Sequence, residues 1–317
     1  MELELPPRTP FNLDYTLTCG QAFRWKKVGA TWTGVVDETA IQISQRGTRL
    51  FVHTVPDDVE DALIRTHFRL EDDLPYITST INRDASVGTA LRRLQGLRIM
   101  RQDPWECLIS FICATFANIP RIQDMIQRLC QRFGRKIPLG DRQVYGFPRK
   151  EVLAAASIQA LLDCKLGYRA RYVKQTSQRL VQSNCSLEAL RKTAYEEARE
   201  ALLCLTGVGE KVADCVLLFS LEKLEAFPVD IWIRRVLQTH YRCHFNVPNL
   251  DQRCLTPRLY KMFNDFGRQY FGRYAGYAQE YLYAEYSPQM TRSGFDACCH
   301  VACKPVAESL AAREAAL

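Results

Sequence analysis

Leu205-Thr206-Gly207-Val208-Gly209-Glu210-Lys211-Val212-Ala213-Asp214-Cys215, followed by Pro228-Val229-Asp230, is the stretch on which the reading of this chain turns. The segment before it, Glu196 to Leu205, is helical in composition, so the whole reads as a helix, a tight Gly-x-Gly hairpin and a second helix. Gly207 can take the positive φ that ends a helix, and Gly209 lets the backbone come close to a ligand. The second helix then starts with free N–H groups aimed outward, a ready site for a phosphate. Lys211 falls in its first turn, with Asp214 and Cys215 at i+3 and i+4 on one face. A lysine at the positive end of a helix dipole, once desolvated, has its neutral amine favoured, and a neutral amine is a nucleophile. Asp230 adds a carboxylate. Each piece also has a plainer reading: a turn, a solvated lysine, and an N-cap for Ile231-Trp232-Ile233-Arg234.

Outward from that stretch, composition bounds the answer. The chain has 317 residues, 47% hydrophobic and 24% charged, as expected of a soluble globular protein. No apolar run approaches the ~20 residues of a membrane span, and the N-terminus lacks the order of a signal peptide. A net charge of +7 suits an anionic partner without identifying one. Thirteen cysteines, including Cys107, Cys113, Cys130 and Cys204 in apolar helical stretches, read as reduced, buried thiols of an intracellular protein. Its place would be the nucleus in a eukaryote, the cytoplasm or nucleoid in a prokaryote. Cys298, Cys299, His300 and Cys303 have the spacing of neither a zinc finger nor an iron–sulfur loop, so no metal is expected there.

The N-terminal third combines strands and helices. Thr31 to Val36, Ala40 to Ser44 and Arg49 to Thr54 alternate apolar and polar residues around turn signals, which predicts an antiparallel meander. Residues 57–100 read as helices. Asp103-Pro104-Trp105-Glu106 is a helix start with an Asp cap, a Pro at the first position and a Glu to complete the box. Cys107 to Thr115 is apolar almost all round and reads as central core. Ile122 to Phe133 is amphipathic and closed by Gly134. Helices follow over 148–182, and Gly272 to Tyr286 reads as a tyrosine-rich helix. Its Tyr274, Tyr277 and Tyr281 form a core stripe, and Gln279 and Tyr283 form an i, i+4 pair on another face.

Four motifs in this order carry a resemblance. Leu-x-Gly-x-Gly-x-Lys-x-Ala-Asp with Pro-Val-Asp resembles the helix-hairpin-helix DNA glycosylases that have a Gly/Pro…Asp loop. Gly20-Gln21-Ala22-Phe23-Arg24-Trp25, Gly167-Tyr168-Arg169-Ala170-Arg171-Tyr172 and the Gln279/Tyr283 pair resemble the 8-oxoguanine subfamily in particular. The resemblance spans roughly residues 11–290. It implies an α+β fold: an N-terminal antiparallel β-sheet domain with helices over 1–100, helical helix-hairpin-helix glycosylase regions over 101–290, and a tail over 291–317.

The implied activity is a bifunctional DNA glycosylase and abasic-site lyase of base excision repair. It would act as a monomer on duplex DNA containing 8-oxoguanine, with no cofactor. Lys211 would attack C1′ and form a Schiff base, and Asp230 would stabilise the charged sugar and assist deprotonation of the lysine. The Gly20 carbonyl would accept a hydrogen bond from N7–H of the lesion, which undamaged guanine lacks. Gln279 would bond the pairing edge, Cys215 and Tyr283 would sandwich the rings, and Pro228 would line the wall. Gly207 and Gly209 would grip a phosphate. Tyr168 would act as a wedge, and Arg169 and Arg121 would read the orphaned cytosine. Arg171, Lys174 and Arg179 suit phosphates or plain solvent.

This sequence departs from the subfamily at three places, of which Tyr283 for phenylalanine keeps the stacking surface. Phe116 and Ala117 stand where asparagines are usual, ahead of Asn118 and Arg121. A phenyl ring can wedge into the stack but cannot offer asparagine's hydrogen bonds, so the preference for opposite cytosine is expected to relax. Trp232 replaces a usual histidine near the flipped nucleotide's phosphate. The competing readings are a glycosylase for another damaged base and a non-catalytic DNA-binding protein that kept the hairpin.

Overall fold

A computed structural model of the chain describes residues 1–6, 9–183 and 186–287. The 291–317 tail, with Cys298, Cys299, His300 and Cys303, lies outside the described residues.

Alternation along the N-terminal third produces a sheet with one face to bury. Strand β1 (Glu2–Glu4) is followed by helix α1 (Leu13–Thr18) and a run of four antiparallel strands: β2 (Lys26–Val28), β3 (Thr31–Val36), β4 (Thr39–Arg46) and β5 (Arg49–Val55). The spatial order is β1-β5-β4-β3-β2. The three expected strands form the middle. The outer two, β1 and β2, are three residues each, too short for alternation to announce them. Register pairs Trp32 with Ile43 and Gly34 with Ile41. The inward residues Ile41, Ile43 and Leu50 are fully buried, against Phe68, Trp25 and Met100. Each such side chain contributes roughly 1.5–3 kcal/mol on burial.

Helix α2 (Asp61–His67) closes this small core, but α3 (Leu74–Ile81) and α4 (Ala85–Arg93) do not. Their buried Leu74, Ile77, Ile81, Val87 and Ala90 belong to the larger helical core. At the centre of that core lies α5 (Pro104–Ala114), buried from Cys107 through Cys113 as its all-round apolarity requires. Asp103 caps it, accepting from Glu106 N at 2.7 Å. The Glu106 carboxylate does not close the box. It pairs with the buried Arg24 of the sheet region instead.

Helix α6 (Ile119–Phe133) ends at Gly134, whose backbone is extended, not left-handed. The glycine serves contact: an added Cβ would lie 2.0 Å from Gly146 O. A small hairpin of β6 (Lys136–Leu139) and β7 (Arg142–Tyr145) intervenes. Then come α7 (Lys150–Ala155), α8 (Ile158–Asp163), α9 (Arg169–Gln182), α10 (Tyr195–Leu203), α11 (Glu210–Ser220), α12 (Ile231–His240), α13 (Pro257–Phe271) and α14 (Ala275–Tyr286).

Cys107, Cys113, Cys130 and Cys215 are buried thiols, but Cys204 is exposed, because α10 ends there and the side chain falls outside the packed face. Among the described residues no helix is long and apolar enough to cross a membrane.

Candidate functional site

The Gly-x-Gly stretch folds into the expected turn between α10 and α11. Gly207 has φ +81° and packs so tightly that an added Cβ would lie 2.6 Å from Tyr172 Cβ, so both conformation and contact require glycine. Thr176 Oγ1 donates to Thr206 O at 2.7 Å and ties the turn to α9. Gly209 is the extended N-cap of α11, with nothing within 4 Å of where a Cβ would stand. No side chain caps the first N–H groups of α11. They are free to hold an anion.

Lys211 follows directly. Its Nζ lies 4.7 Å from the centre of the Phe111 ring on α5. The Cys215 thiol, one turn on, is within hydrogen-bonding reach of the lysine; burial pushes that thiol up to about 12, against the pull of the lysine's charge. Asp214 does not join them, although the three residues share the near side of one helix by spacing. It is wholly buried against α10 and α13, accepting from Tyr195 Oη, from Tyr260 Oη at 2.5 Å and from Asn264 Nδ2 at 3.1 Å. A rotation of about 100° per residue separates it from Cys215, enough to change its neighbours completely.

Asp230 is the N-cap of α12, and its Oδ1 accepts from Trp232 N at 2.9 Å and Ile233 N at 2.8 Å. The N-cap reading and the proximity to Lys211 both hold. Burial raises its carboxyl above the usual range, while the Ile233 N–H, the Lys211 charge and the Trp232 N–H oppose that shift. Pro228 is buried just ahead of it.

The sheet region brings a second wall. Gly20 has φ +93°, and a Cβ there would meet Tyr283 Cε1 at 3.2 Å and Ile119 Cδ1 at 3.3 Å. Its backbone therefore faces the Tyr283 ring of α14 directly. Gln21, 1% exposed, anchors this turn. Its Nε2 donates to Thr16 O at 3.0 Å and Arg98 O at 2.8 Å, and its Oε1 accepts from Met100 N at 2.7 Å. Gln279 is buried, and its Oε1 has no partner among the described residues.

Sequence reasoning missed the next residue. Glu280 is 2% exposed, and its Oε1 is also without a partner. Its carboxyl meets the Cys19 thiol beside Gly20 and is acted on by the charges of Asp230 and Lys211. Burial, reinforced by Asp230, raises it to about 8. The available signal was a single acid inside the otherwise uncharged run Ala275 to Ala284.

The outer rim is less uniform. Phe116, between α5 and α6, is 92% exposed and holds φ +50°. At that exposure the ring is no part of the core. Tyr168 is 48% exposed, and its hydroxyl donates to Thr115 O at 3.2 Å. Arg121 is exposed, and Asn118 caps α6 by accepting from Arg121 N at 3.1 Å. Trp232 is half-buried, with the Arg235 guanidinium 4.6 Å from its ring centre.

Arg169 does not match the expectation of an outward reader. It is 2% exposed, and its guanidinium donates to Thr115 O at 3.1 Å and Leu166 O at 3.4 Å. The chain bends at Gly167 and turns Arg169 inward, where it braces the residue preceding Phe116. Lys174 likewise donates inward, to Ala156 O at 2.6 Å, while Arg171 and Arg179 are exposed.

Comparisons with known proteins agree with this geometry. Residues 4–108 match the 8-oxoguanine DNA glycosylase N-terminal domain, and residues 109–264 match the HhH-GPD superfamily of base excision DNA repair proteins. The chain is 35% identical over 299 residues to the N-glycosylase/DNA lyase OGG1 of Arabidopsis thaliana, covering 89% of this chain and 80% of that protein. The 8-oxoguanine glycosylase/lyase of Clostridium acetobutylicum was solved with duplex DNA carrying cytosine opposite 8-oxoguanine. It superposes with a TM-score of 0.78 at 30% identity, over 89% of this chain and 92% of its own. The 3-methyladenine DNA-glycosylase of Archaeoglobus fulgidus shares the fold alone, with a TM-score of 0.69 at 19% identity over 89% and 97% of the two chains. Taken with the hairpin, the lysine beside it and the glycine turn facing α14, these likenesses place the chain in the 8-oxoguanine DNA glycosylase family of the HhH-GPD superfamily.

Proposed function

We propose that this protein excises 8-oxoguanine from duplex DNA and then nicks the strand, with Lys211 as the nucleophile. The convergence of Lys211, Cys215 and Asp230 behind an uncapped helix N-terminus carries the reading. Acting as a monomer, the enzyme grips a backbone phosphate through the α11 N–H groups, a hold without sequence preference. The lesion leaves the stack at a cost of a few kcal/mol and enters the pocket. The Gly20 carbonyl accepts from N7–H, where the bare N7 of guanine would be repelled. The unpartnered Gln279 Oε1 takes a donor from the pairing edge, and Tyr283 and Cys215 bracket the rings with Pro228 behind them. Phe116 and Tyr168 fill and prop the duplex, beside Asn118, Arg121 and Trp232.

In the chemical step the Lys211 amine attacks C1′ as the glycosidic bond breaks, and the Asp230 carboxylate stabilises the positive sugar. Loss of a proton and ring opening leave a Schiff base, from which β-elimination cleaves the strand. Phe116 supports weakened selection for opposite cytosine, since its ring supplies volume and no hydrogen bonds.

Borohydride trapping on duplexes with 8-oxoguanine opposite each of the four bases tests this. An adduct is expected on several of them, and none in Lys211→Gln. Adduct formation undiminished in that variant would overturn the lysine assignment. Release of a different base with none of 8-oxoguanine would overturn the substrate.

A further inference from the structure

A lysine that attacks must first lose a proton, and the proton needs a destination. Asp230 is poorly placed to take it, because its Oδ1 already accepts two backbone N–H groups as the α12 cap. Those two bonds favour the anion and oppose the rise that burial gives its carboxyl. Glu280 differs. It is 2% exposed, Oε1 has no partner among the described residues, its carboxyl meets the Cys19 thiol, and the charges of Asp230 and Lys211 act on it. A buried carboxyl oxygen without a donor is costly and calls for an explanation.

We propose that Glu280 is the proton acceptor for Lys211, a role that rests on reading Lys211 as the nucleophile. With Glu280 in its ionised form, the Lys211 ammonium gives one proton to the carboxylate, leaving a neutral amine and a carboxylic acid. The amine lone pair forms the bond to C1′ while the bond from C1′ to the base breaks, and its electrons leave with the base as an anion. The Glu280 acid returns its proton to that anion, and the carboxylate is restored. The base departs neutral, and the positive nitrogen now bonded to C1′ is left with the Asp230 and Glu280 carboxylates.

Groups facing the carboxyl come from three elements: Cys19 from the turn after α1, Lys211 from α11 and Asp230 from the α12 cap. With burial and the Asp230 charge both acting against it, a second carboxylate there is disfavoured, so the acid and its anion lie close in energy. This is the condition under which a group both takes and gives a proton efficiently near neutrality.

The test uses Glu280→Gln and Glu280→Asp in the full chain. Three quantities are measured over about pH 6 to 9, the range in which such a group would act. They are single-turnover base release from an 8-oxoguanine duplex, borohydride trapping on a duplex with a preformed abasic site, and duplex affinity. Glu280→Gln is expected to slow release and trapping by about 100-fold, flatten their pH dependence and leave affinity unchanged. Glu280→Asp is expected to recover part of the rate and its pH dependence. Wild-type rates with a wild-type pH profile in Glu280→Gln would overturn the proposal, and so would a loss matched by an equal loss of affinity. If the wild-type protein traps on the abasic site yet releases no 8-oxoguanine, the substrate reading fails while the trapping comparison still decides Glu280.

Discussion

Asp214 and Glu280 are both carboxyls lost to solvent, and they stand in neighbouring regions with opposite surroundings. Asp214, behind α11, is saturated: two tyrosine hydroxyls and an asparagine amide point at it, with Arg199 at 3.5 Å. Glu280, in front, has one thiol neighbour and an oxygen with no partner among the described residues. Burial pushes both carboxyls upward, but hydrogen bonds from Tyr195 and Tyr260 pull Asp214 back. Burial alone therefore does not distinguish a structural acid from a reactive one. Satisfaction does, because a fully bonded group has little to gain from a proton or a substrate.

Four substitutions put that contrast to the test. The largest effect is expected from Lys211→Gln, which removes the cation on the Glu280 side and leaves the Asp214 network untouched. Base release should fall by about 10⁴-fold or more, with thermal stability nearly unchanged. A destabilised variant would mean that Lys211 is bound up with the structural side. Asp214→Ala should do the reverse. Stripping the acceptor from Tyr195, Tyr260 and Asn264 should cost about 3–5 kcal/mol in denaturant unfolding, the range for breaking a buried charged network. A neutral result would show the network to be dispensable.

A smaller effect separates the two acids by pH. Glu280 is held near 8 in the fold, against an ordinary value of 4.5. Between those values the folded state keeps a proton that the unfolded chain has released, so stability falls as pH rises through the window. The slope approaches about 1.4 kcal/mol per pH unit at its steepest. Glu280→Gln is expected to abolish it, as measured by urea midpoints at several pH values. The smallest effect is at the rim. Phe116→Asn should gain about 1 kcal/mol, since asparagine tolerates the left-handed region better than phenylalanine. It should also raise the rate on lesions paired with cytosine relative to those paired with adenine, and equal ratios would remove Phe116 from base selection.

Much of this architecture was legible in the letters. The hairpin, the Asp103 start, the sheet meander and the tyrosine stripe of α14 all follow from local spacing, which acts over a few residues. For Gln279 and Tyr283 the i, i+4 spacing gave only a shared face, and their place in the site came from the family resemblance. What escaped depends on distant partners. Arg169 reads as an exposed cation until the Thr115 carbonyl, on another helix end, draws it inward. Asp214 and Cys215 are adjacent in sequence, yet α10 and α13 claim one and Lys211 the other. Glu280 escaped because its meaning lies in what is missing around it, and a sequence does not record an absent donor.

The contact of Gly20 with Tyr283 joins a turn near the start of the chain to a helix near residue 287, the last described. Such a contact can form only after α14 has left the ribosome, long after Lys211 has been made. With Lys211 as the proposed nucleophile and this contact as the proposed selecting wall, a nascent or truncated chain would carry the one without the other. Assembly order would then be a safeguard: the lysine could not be offered a chosen base until synthesis had passed the whole proposed catalytic region.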